Sequence, residues 1–65
     1  MGEYILRLPE VQNKTGLSRS TIYDLISHGE FPKQIKLTSR SSGWVESEVS
    51  AWLDVRIAER DGKVA

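Results

Sequence analysis

One stretch of the chain decides the fold: residues 15–29, which read TGLSRSTIYDLISHG. Ser18 is a good helix N-cap, because its hydroxyl can accept a hydrogen bond from a free amide of the next turn. Apolar residues then recur at the spacing of one helix face, at Ile22, Leu25 and Ile26. Gly29 favours the left-handed conformation that commonly follows a helix end. The stretch therefore predicts a short amphipathic helix from Ser18 to Gly29.

Another short helix is predicted immediately before it. Pro9 suits the first helical position, where its missing amide hydrogen costs nothing, and Glu10 complements the positive end of the helix dipole. We expect this helix to run from about Pro9 to Thr15 and to stop at Gly16. Two short helices joined by residues 15–17 are typical of a helix-turn-helix.

Strand periodicity follows the second helix. Polar and apolar residues alternate over residues 34–38, QIKLT, and we expect Ile35 and Leu37 to face inward. Residues 39–43, SRSSG, read as a polar turn, and Trp44-Val45 can supply the returning strand. The sequence therefore predicts a small β-hairpin.

A last helix is predicted after the hairpin, with Ser47 as its N-cap. We expect its apolar stripe to face the core, at Val49, Trp52, Leu53 and Ile57. Residues 4–6 are apolar but too few to assign as a strand, and the chain from Asp61 onward is expected to fray. The predicted order is helix, helix, hairpin, helix.

Length and composition limit the classes of protein. Sixty-five residues permit one domain, residues 1–65, with an ordered core of about residues 4–60. The absence of cysteine excludes disulfides, thiolate zinc sites and thiol nucleophiles. No apolar run approaches the roughly 20 residues of a membrane span, and the N-terminus lacks the pattern of a signal peptide. We expect a cytoplasmic protein.

The inventory of reactive side chains argues against an enzyme. His28 is the only histidine, and no glycine-rich phosphate loop follows a strand. Glu46 and Glu48 lie near a predicted helix start, where acidic residues simply suit the dipole. One imidazole without partners does not make a metal site. We expect no catalytic residue, no metal and no cofactor.

Charge is unevenly distributed along a chain whose formal net charge is +0. A net charge of zero argues against a protein that coats nucleic acid, since such domains are usually strongly basic. Residues 14–40, however, contain five basic residues against two acidic ones, whereas residues 41–65 contain three basic against five acidic. The positive part of the chain is its middle.

The polar face of the second helix carries candidate DNA contacts. Placing residues 100° apart puts Ser20, Asp24 and Ser27 opposite the apolar stripe, and the flanks carry Arg19, Thr21, Tyr23 and His28. Hydroxyl, phenol and guanidinium groups near a helix N-terminus are the types that contact phosphates and base edges. Asp24 repels phosphate unless it accepts from cytosine N4. The alternative interpretation is a solvated face whose serines are helix caps and whose Tyr23 packs on the core.

The hairpin adds basic groups to this candidate surface. Arg40 lies at the tip of the predicted turn, and Lys36 lies on the solvent face of the leading strand. A mobile loop with a guanidinium can follow a phosphate backbone or enter a narrow minor groove. Lys14 and Lys33, beyond reading distance of the bases, would contact phosphates. A hairpin directly after a helix-turn-helix predicts a winged helix.

The sequence strongly resembles the AlpA family of short phage and prophage regulators. The resemblance lies in residues 15–37, TGLSRSTIYDLISHGEFPKQIKL, followed by residues 40–53, RSSGWVESEVSAWL, and it covers roughly residues 4–60. The family is related to excisionases and to the winged-helix domain of MerR-type proteins. The resemblance implies a transcriptional regulator or recombination directionality factor that binds duplex DNA.

The resemblance also implies which residues contact DNA. Its recognition helix matches residues 18–28 and its wing matches residues 35–44, and the functional positions are Arg19, Ser20, Thr21, Tyr23 and Arg40. Relatives often have a basic residue in place of Asp24, and many have an apolar residue in place of Ser42. We assign Trp44 and Trp52 to the core rather than to stacking on bases.

These observations predict a mainly α protein with a small β-hairpin, a winged helix-turn-helix, that binds double-stranded DNA sequence-selectively. Integrase or the RNA polymerase machinery are the protein partners that this function implies. We expect a monomer in solution that assembles cooperatively on DNA, since one recognition helix reads few base pairs. The alternative is a small protein-binding module that inhibits or modulates a partner regulator, which the zero net charge allows.

Overall fold

The computed structural model describes residues 4–62, which form three helices and one small antiparallel sheet. The elements are β1 (Ile5–Leu6), α1 (Leu8–Thr15), α2 (Arg19–Ser27), β2 (Ile35–Thr38), β3 (Ser41–Val45) and α3 (Glu46–Arg60). The sheet has the strand order β1-β3-β2. No helix within residues 4–62 is long and apolar enough to cross a membrane.

The limits of the first two helices follow from local chemistry, as predicted. Gly16 has a φ of 75° and its N–H donates to the carbonyl of Gln12 at 2.7 Å, which ends α1. The hydroxyl of Ser18 accepts from the N–H of Thr21 at 3.2 Å, which begins α2. Gly29, with a φ of 71°, follows the end of α2.

The sheet has three strands where the sequence predicts two. Ile5 pairs with Val45 and Leu6 with Trp44, so that β1 adds to the free edge of β3. The polar turn is also shorter than predicted, because β3 already begins at Ser41. A strand of two residues shows no periodicity, and its partner alone defines it. The architecture is therefore a small mixed α/β domain with three helices and a three-stranded antiparallel sheet, in which β2 and β3 form the predicted hairpin.

The prediction that Ile35 and Leu37 face the core is wrong. They are 39% and 42% exposed. Ile35 pairs with Gly43, and successive residues of a strand point to opposite faces. Trp44, the next residue of β3, is 1% exposed and reaches the core from the other face. The alternation of β2 is therefore present, but its apolar side lies on the outer face of the sheet.

The start of α3 and the reach of its apolar stripe also differ from prediction. The N-cap is Val45, not Ser47, because β3 runs directly into the helix and the N–H of Glu46 donates to the carbonyl of Tyr4 at 2.8 Å. Val49 is fully buried, but Ile57 is 49% exposed. A 15-residue helix is about 22 Å long and extends past so small a core.

The core joins all three helices to β3. Its buried members are Val11, Ile22, Phe31, Trp44 and Val49. The indole N–H of Trp44 donates to the carbonyl of Pro32 at 3.0 Å, which ties the segment between α2 and β2 to the sheet. This packing fixes the orientation of α2 relative to the β2–β3 hairpin.

Candidate nucleic-acid interface

One face of α2 is buried and the opposite face is exposed. Ile22 is fully buried, and Leu25 and Ile26 pack against the core. Ser20, Asp24 and Ser27, which the sequence places opposite this stripe, are all exposed. The exposed face of α2 therefore carries the residue types that are predicted to contact DNA.

Hydroxyl groups cluster at the N-terminus of α2. The Ser18 hydroxyl donates to Thr21 Oγ1 at 2.9 Å and lies 3.4 Å from Ser20 Oγ. All three side chains are exposed. The first turn of a helix has free amides and a positive dipole end, so this cluster and the adjacent backbone can donate hydrogen bonds to an anion.

Arg19 and Tyr23 lie together on the flank of α2. The guanidinium carbon of Arg19 is 5.6 Å from the centroid of the Tyr23 ring. Tyr23 is half-buried, and its ring packs edge-on against Trp44 with the centroids 6.2 Å apart. Arg19 itself is exposed, so its charge is available to a ligand at this end of the helix.

The last turn of α2 holds its polar groups through its own backbone. The Ser27 hydroxyl donates to the carbonyl of Asp24 at 2.7 Å, and His28 Nδ1 lies 2.8 Å from the same carbonyl oxygen. The Asp24 carboxylate is 3.8 Å from His28 Nδ1, and both side chains are mostly exposed. Ser27 can therefore accept a hydrogen bond but has already used its proton, and Asp24 contributes a negative charge to this face.

The hairpin and the end of α2 form an open basic groove of about 620 Å³. Its cations are Lys33, Lys36 and Arg40. Ile26 of α2 and the small polar residues Gln34, Ser39, Ser41 and Ser42 complete the lining. Outside α2, residues 14–40 contain four predicted phosphate-binding cations. Three of the four line this groove. Gln34 and Ser41 are lining residues that the sequence does not predict, although their position beside the basic turn is a signal that could have found them.

Among residues 4–62, none of these three cations forms an ion pair. The pairs within 4.0 Å involve Lys14, His28, Arg56 and Arg60. At the turn, the backbone N–H of Arg40 donates to Thr38 Oγ1 at 3.2 Å, and Arg40 is an exposed residue. The basic groove is thus a place where positive charge is not neutralised by the described part of the chain.

Lys14 does not line the basic groove. Its Nζ lies 3.2 Å from Glu46 Oε2, which links the end of α1 to the start of α3. Hydrogen bonds from Ser50 and then from Lys14 lower the pKa of the Glu46 carboxyl below its ordinary value. The role of Lys14 as a phosphate contact stays a prediction, while the structure gives it an ionic partner. The sequence predicts for Glu46 only a favourable interaction with the helix dipole.

Comparison with known proteins identifies similar sequences. The family model described as prophage CP4-57 regulatory protein (AlpA) matches residues 4–57. An uncharacterized protein of enterobacteria phage P4, ORF88, is 55% identical over 58 residues, which cover 89% of this chain and 66% of that protein. The DNA-binding transcriptional activator AlpA of Escherichia coli (strain K12) is 45% identical over 58 residues, which cover 80% of this chain and 83% of the relative. The chain thus spans slightly less than two thirds of the phage P4 relative.

Proposed function

The chain belongs to the AlpA family of prophage regulatory proteins, and from this premise we propose that it binds double-stranded DNA sequence-selectively and regulates transcription. The observation that carries the proposal is the basic groove: Lys33, Lys36 and Arg40 line it, and no ion pair among residues 4–62 uses them. The exposed face of α2 beside this groove supplies the rest of the proposed interface.

In this proposal α2 is the recognition helix and enters the major groove. Its first turn contains Arg19, Ser20 and Thr21, which are exposed and lie at the end of the helix that favours negative charge. Farther along the same face, Asp24 and Ser27 are acceptors, which suit the exocyclic amines of cytosine or adenine better than phosphate. Base preference would therefore arise along α2.

The β2–β3 hairpin is the wing of a winged helix-turn-helix in this proposal. Arg40 lies in its two-residue turn and Lys36 on β2, and both face the groove that begins at the end of α2. Cations so placed can follow the phosphate backbone beside the major groove, or Arg40 can enter the minor groove. These contacts would supply affinity and register rather than base preference.

The interface so defined explains how a chain of zero net charge can bind DNA. Its affinity depends on the few cations that face the duplex, because each neutralised phosphate releases condensed counterions. Arg19, Lys33, Lys36 and Arg40 give about four such contacts, so we expect a modest affinity for a single copy. Cooperative binding of several monomers to adjacent sites would raise the specificity, as would a bound integrase or RNA polymerase.

The name of the Escherichia coli relative favours activation of transcription over an excisionase-like role in recombination. A second candidate function, a protein-binding module, is favoured by a different surface. Phe31, Trp52 and Val55 line an open groove beside α3, and Val55 is 54% exposed. A partner bound there would leave the basic groove free.

Selection of duplexes from a random pool tests the proposal. We expect the protein to enrich a short motif, and to bind a labelled duplex with that motif more tightly than a scrambled duplex of equal length and composition. Duplexes with one copy and with two adjacent copies of the motif test cooperativity. Enrichment of no motif, together with equal weak binding to all duplexes, would contradict sequence-selective binding.

A further inference from the structure

Three side chains connect the buried sheet to the exposed start of α2. Trp44 is 1% exposed, the Tyr23 ring packs against it at an interplanar angle of 60°, and the Arg19 guanidinium lies over the Tyr23 ring. The distances are 6.2 Å between the ring centroids and 5.6 Å from the guanidinium carbon to the Tyr23 centroid. Both values lie within the usual ranges for edge-on aromatic and cation–π contacts.

The inner end of this series is held firmly. The indole N–H of Trp44 donates to the carbonyl of Pro32 at 3.0 Å, and the Trp44 backbone pairs with Leu6 in the sheet. Trp44 therefore cannot shift without disturbing the core. Because Tyr23 is half-buried against this ring, its own ring has a defined orientation relative to α2.

The outer end has no other fixed partner among the described residues. Arg19 is the first residue of α2 and is exposed, and no ion pair within residues 4–62 includes it. A free arginine side chain loses rotamer entropy when it binds a ligand. A ring that already holds the guanidinium reduces that loss, since part of the ordering has occurred before binding.

We propose that Tyr23 is a positioning residue: its ring, supported by Trp44, holds the Arg19 guanidinium at the start of α2 for contact with DNA. This inference rests on the proposed function and assigns Tyr23 a role different from direct contact with a base. The aromatic ring is the part of Tyr23 that the role requires, and the hydroxyl is not.

A double-mutant cycle tests this role. The probe is a labelled duplex that the unmodified protein selects from a random pool, and the variants are Arg19→Ala, Tyr23→Leu, Tyr23→Phe and the pair Arg19→Ala/Tyr23→Leu. We expect Arg19→Ala to weaken binding about tenfold, as for loss of a charge-assisted hydrogen bond. Tyr23→Leu should weaken it about threefold, as for loss of an exposed cation–π contact, and Tyr23→Phe less than twofold. In the Arg19→Ala protein, Tyr23→Leu should have no further effect.

The salt dependence supplies a readout that a merely structural role would not change. Tyr23 carries no charge, yet the slope of log K against log salt should be shallower for Tyr23→Leu, because a guanidinium that the ring no longer holds contacts phosphate in only part of the complexes. The slope should lie between those of the unmodified protein and Arg19→Ala. Circular dichroism melts show whether each variant is folded at the assay temperature. If Tyr23→Leu is not folded there, Tyr23→Met replaces it in the cycle, because methionine also removes the ring and fills irregular space.

Two results would overturn the positioning role while leaving DNA binding intact. One is additivity, in which Tyr23→Leu costs the same threefold with and without Arg19. The other is an equal loss for Tyr23→Phe and Tyr23→Leu, which would assign the contact to the phenol hydroxyl. An unmodified protein that selects no duplex and binds without salt dependence would overturn the proposed function as well, so the two failures are distinguishable.

Discussion

The cations on the two sides of the domain have different surroundings. On the side formed by the end of α1 and by α3, the paired side, Lys14, Arg56 and Arg60 each lie within 3.2 Å of a carboxylate oxygen. On the side formed by α2 and the hairpin, the cationic side, Lys33, Lys36 and Arg40 line one groove. No ion pair among residues 4–62 involves any of these three.

This difference shows why the net charge of the whole chain is a poor predictor of its binding to DNA. A formal charge of +0 describes the whole chain, whereas a phosphate meets only the cations that face it. Acidic groups neutralise positive charge on the paired side, and the cationic side keeps its charge. Electrostatic binding to a duplex is therefore compatible with a balanced composition, provided that the unpaired cations share one surface.

Both sides depend on the core between them, and Trp44→Ala should have the largest effect. Trp44 is 1% exposed, so we expect a loss of about 3–5 kcal/mol in the free energy of unfolding, comparable to the whole stability of a small domain. Trp52 is only half-buried, with its ring 4.8 Å from Phe31, and Trp52→Ala should lose about 1–3 kcal/mol. Urea unfolding followed by circular dichroism measures both.

The sequence predicts that both tryptophans lie in the core, whereas the structure buries Trp44 and leaves Trp52 half-buried. The guanidinium carbon of Arg56 lies 5.0 Å from the centroid of the half-exposed Trp52 ring. The indole N–H of Trp52 donates to the carbonyl of Glu30. A larger loss for Trp52→Ala than for Trp44→Ala would contradict the assignment of Trp44 to the centre of the core.

A smaller loss of stability is expected for a substitution where the hairpin meets β1. A Cβ atom added to Gly43 would lie 2.5 Å from Ile5 Cγ2 and 3.0 Å from the carbonyl oxygen of Leu6. Gly43→Ala should therefore cost about 1–3 kcal/mol through overpacking. Ser42→Ala, one residue earlier in β3, is the matched control and should change stability by about 0.5 kcal/mol or less. Equal losses in thermal unfolding would show that β1 does not pack closely on β3.

The paired side should show the smallest effect, as a dependence of stability on pH. The pKa of Glu46 is lowered from its ordinary value of 4.5 by the Ser50 hydrogen bond and then by Lys14. The charged carboxylate thus stabilises the fold above that value, and this contribution is lost as the pH falls through the lower pKa of the folded state. Glu46→Gln should therefore lose less stability than the parent between about pH 5 and pH 3.

Ser50→Ala gives the matched test of that cause, because the Ser50 hydroxyl donates to Glu46 Oε2 at 3.0 Å. Like Glu46→Gln, Ser50→Ala should lose less stability than the parent as the pH falls. Parallel profiles for the parent and both variants, from urea titrations at several pH values, would contradict the assigned cause.

The sequence predicts α1 and α2 well because their limits are local, whereas the start of α3 depends on the end of β3 and on a hydrogen bond to the distant Tyr4 carbonyl. Gly16 and Ser18 act on the backbone within one turn, and their roles require no distant partner. The strands were harder to predict for the opposite reason. β1 has two residues and is defined only by its pairing with β3, and the exposure of Ile35 depends on which face of the sheet the helices cover.

The candidate site also has a part that local sequence predicts and a part that depends on tertiary packing. Residue types and helix spacing are sufficient to select the exposed face of α2, and turn composition is sufficient to select Arg40. The meeting of Lys33, Lys36 and Arg40 in one groove depends on how the hairpin packs beside α2. The pairing of Lys14 with Glu46 joins distant parts of the chain, so charge counting along the sequence could not find it.

The most direct test of the central claim compares salt dependence in two charge-matched variants. Lys36→Gln/Arg40→Gln removes two cations from the cationic side, and Arg56→Gln/Arg60→Gln removes two from the paired side. Binding of each to the same selected duplex is measured by fluorescence anisotropy over a range of salt concentrations. For the unmodified protein, about four phosphate contacts predict a slope of log K against log salt of roughly −3 to −4. The first variant should be shallower by about 1.8 and the second unchanged, since each lost contact removes about 0.9. Equal changes in the two variants, or a slope near zero for the unmodified protein, would contradict the claim that the unpaired cations bind DNA.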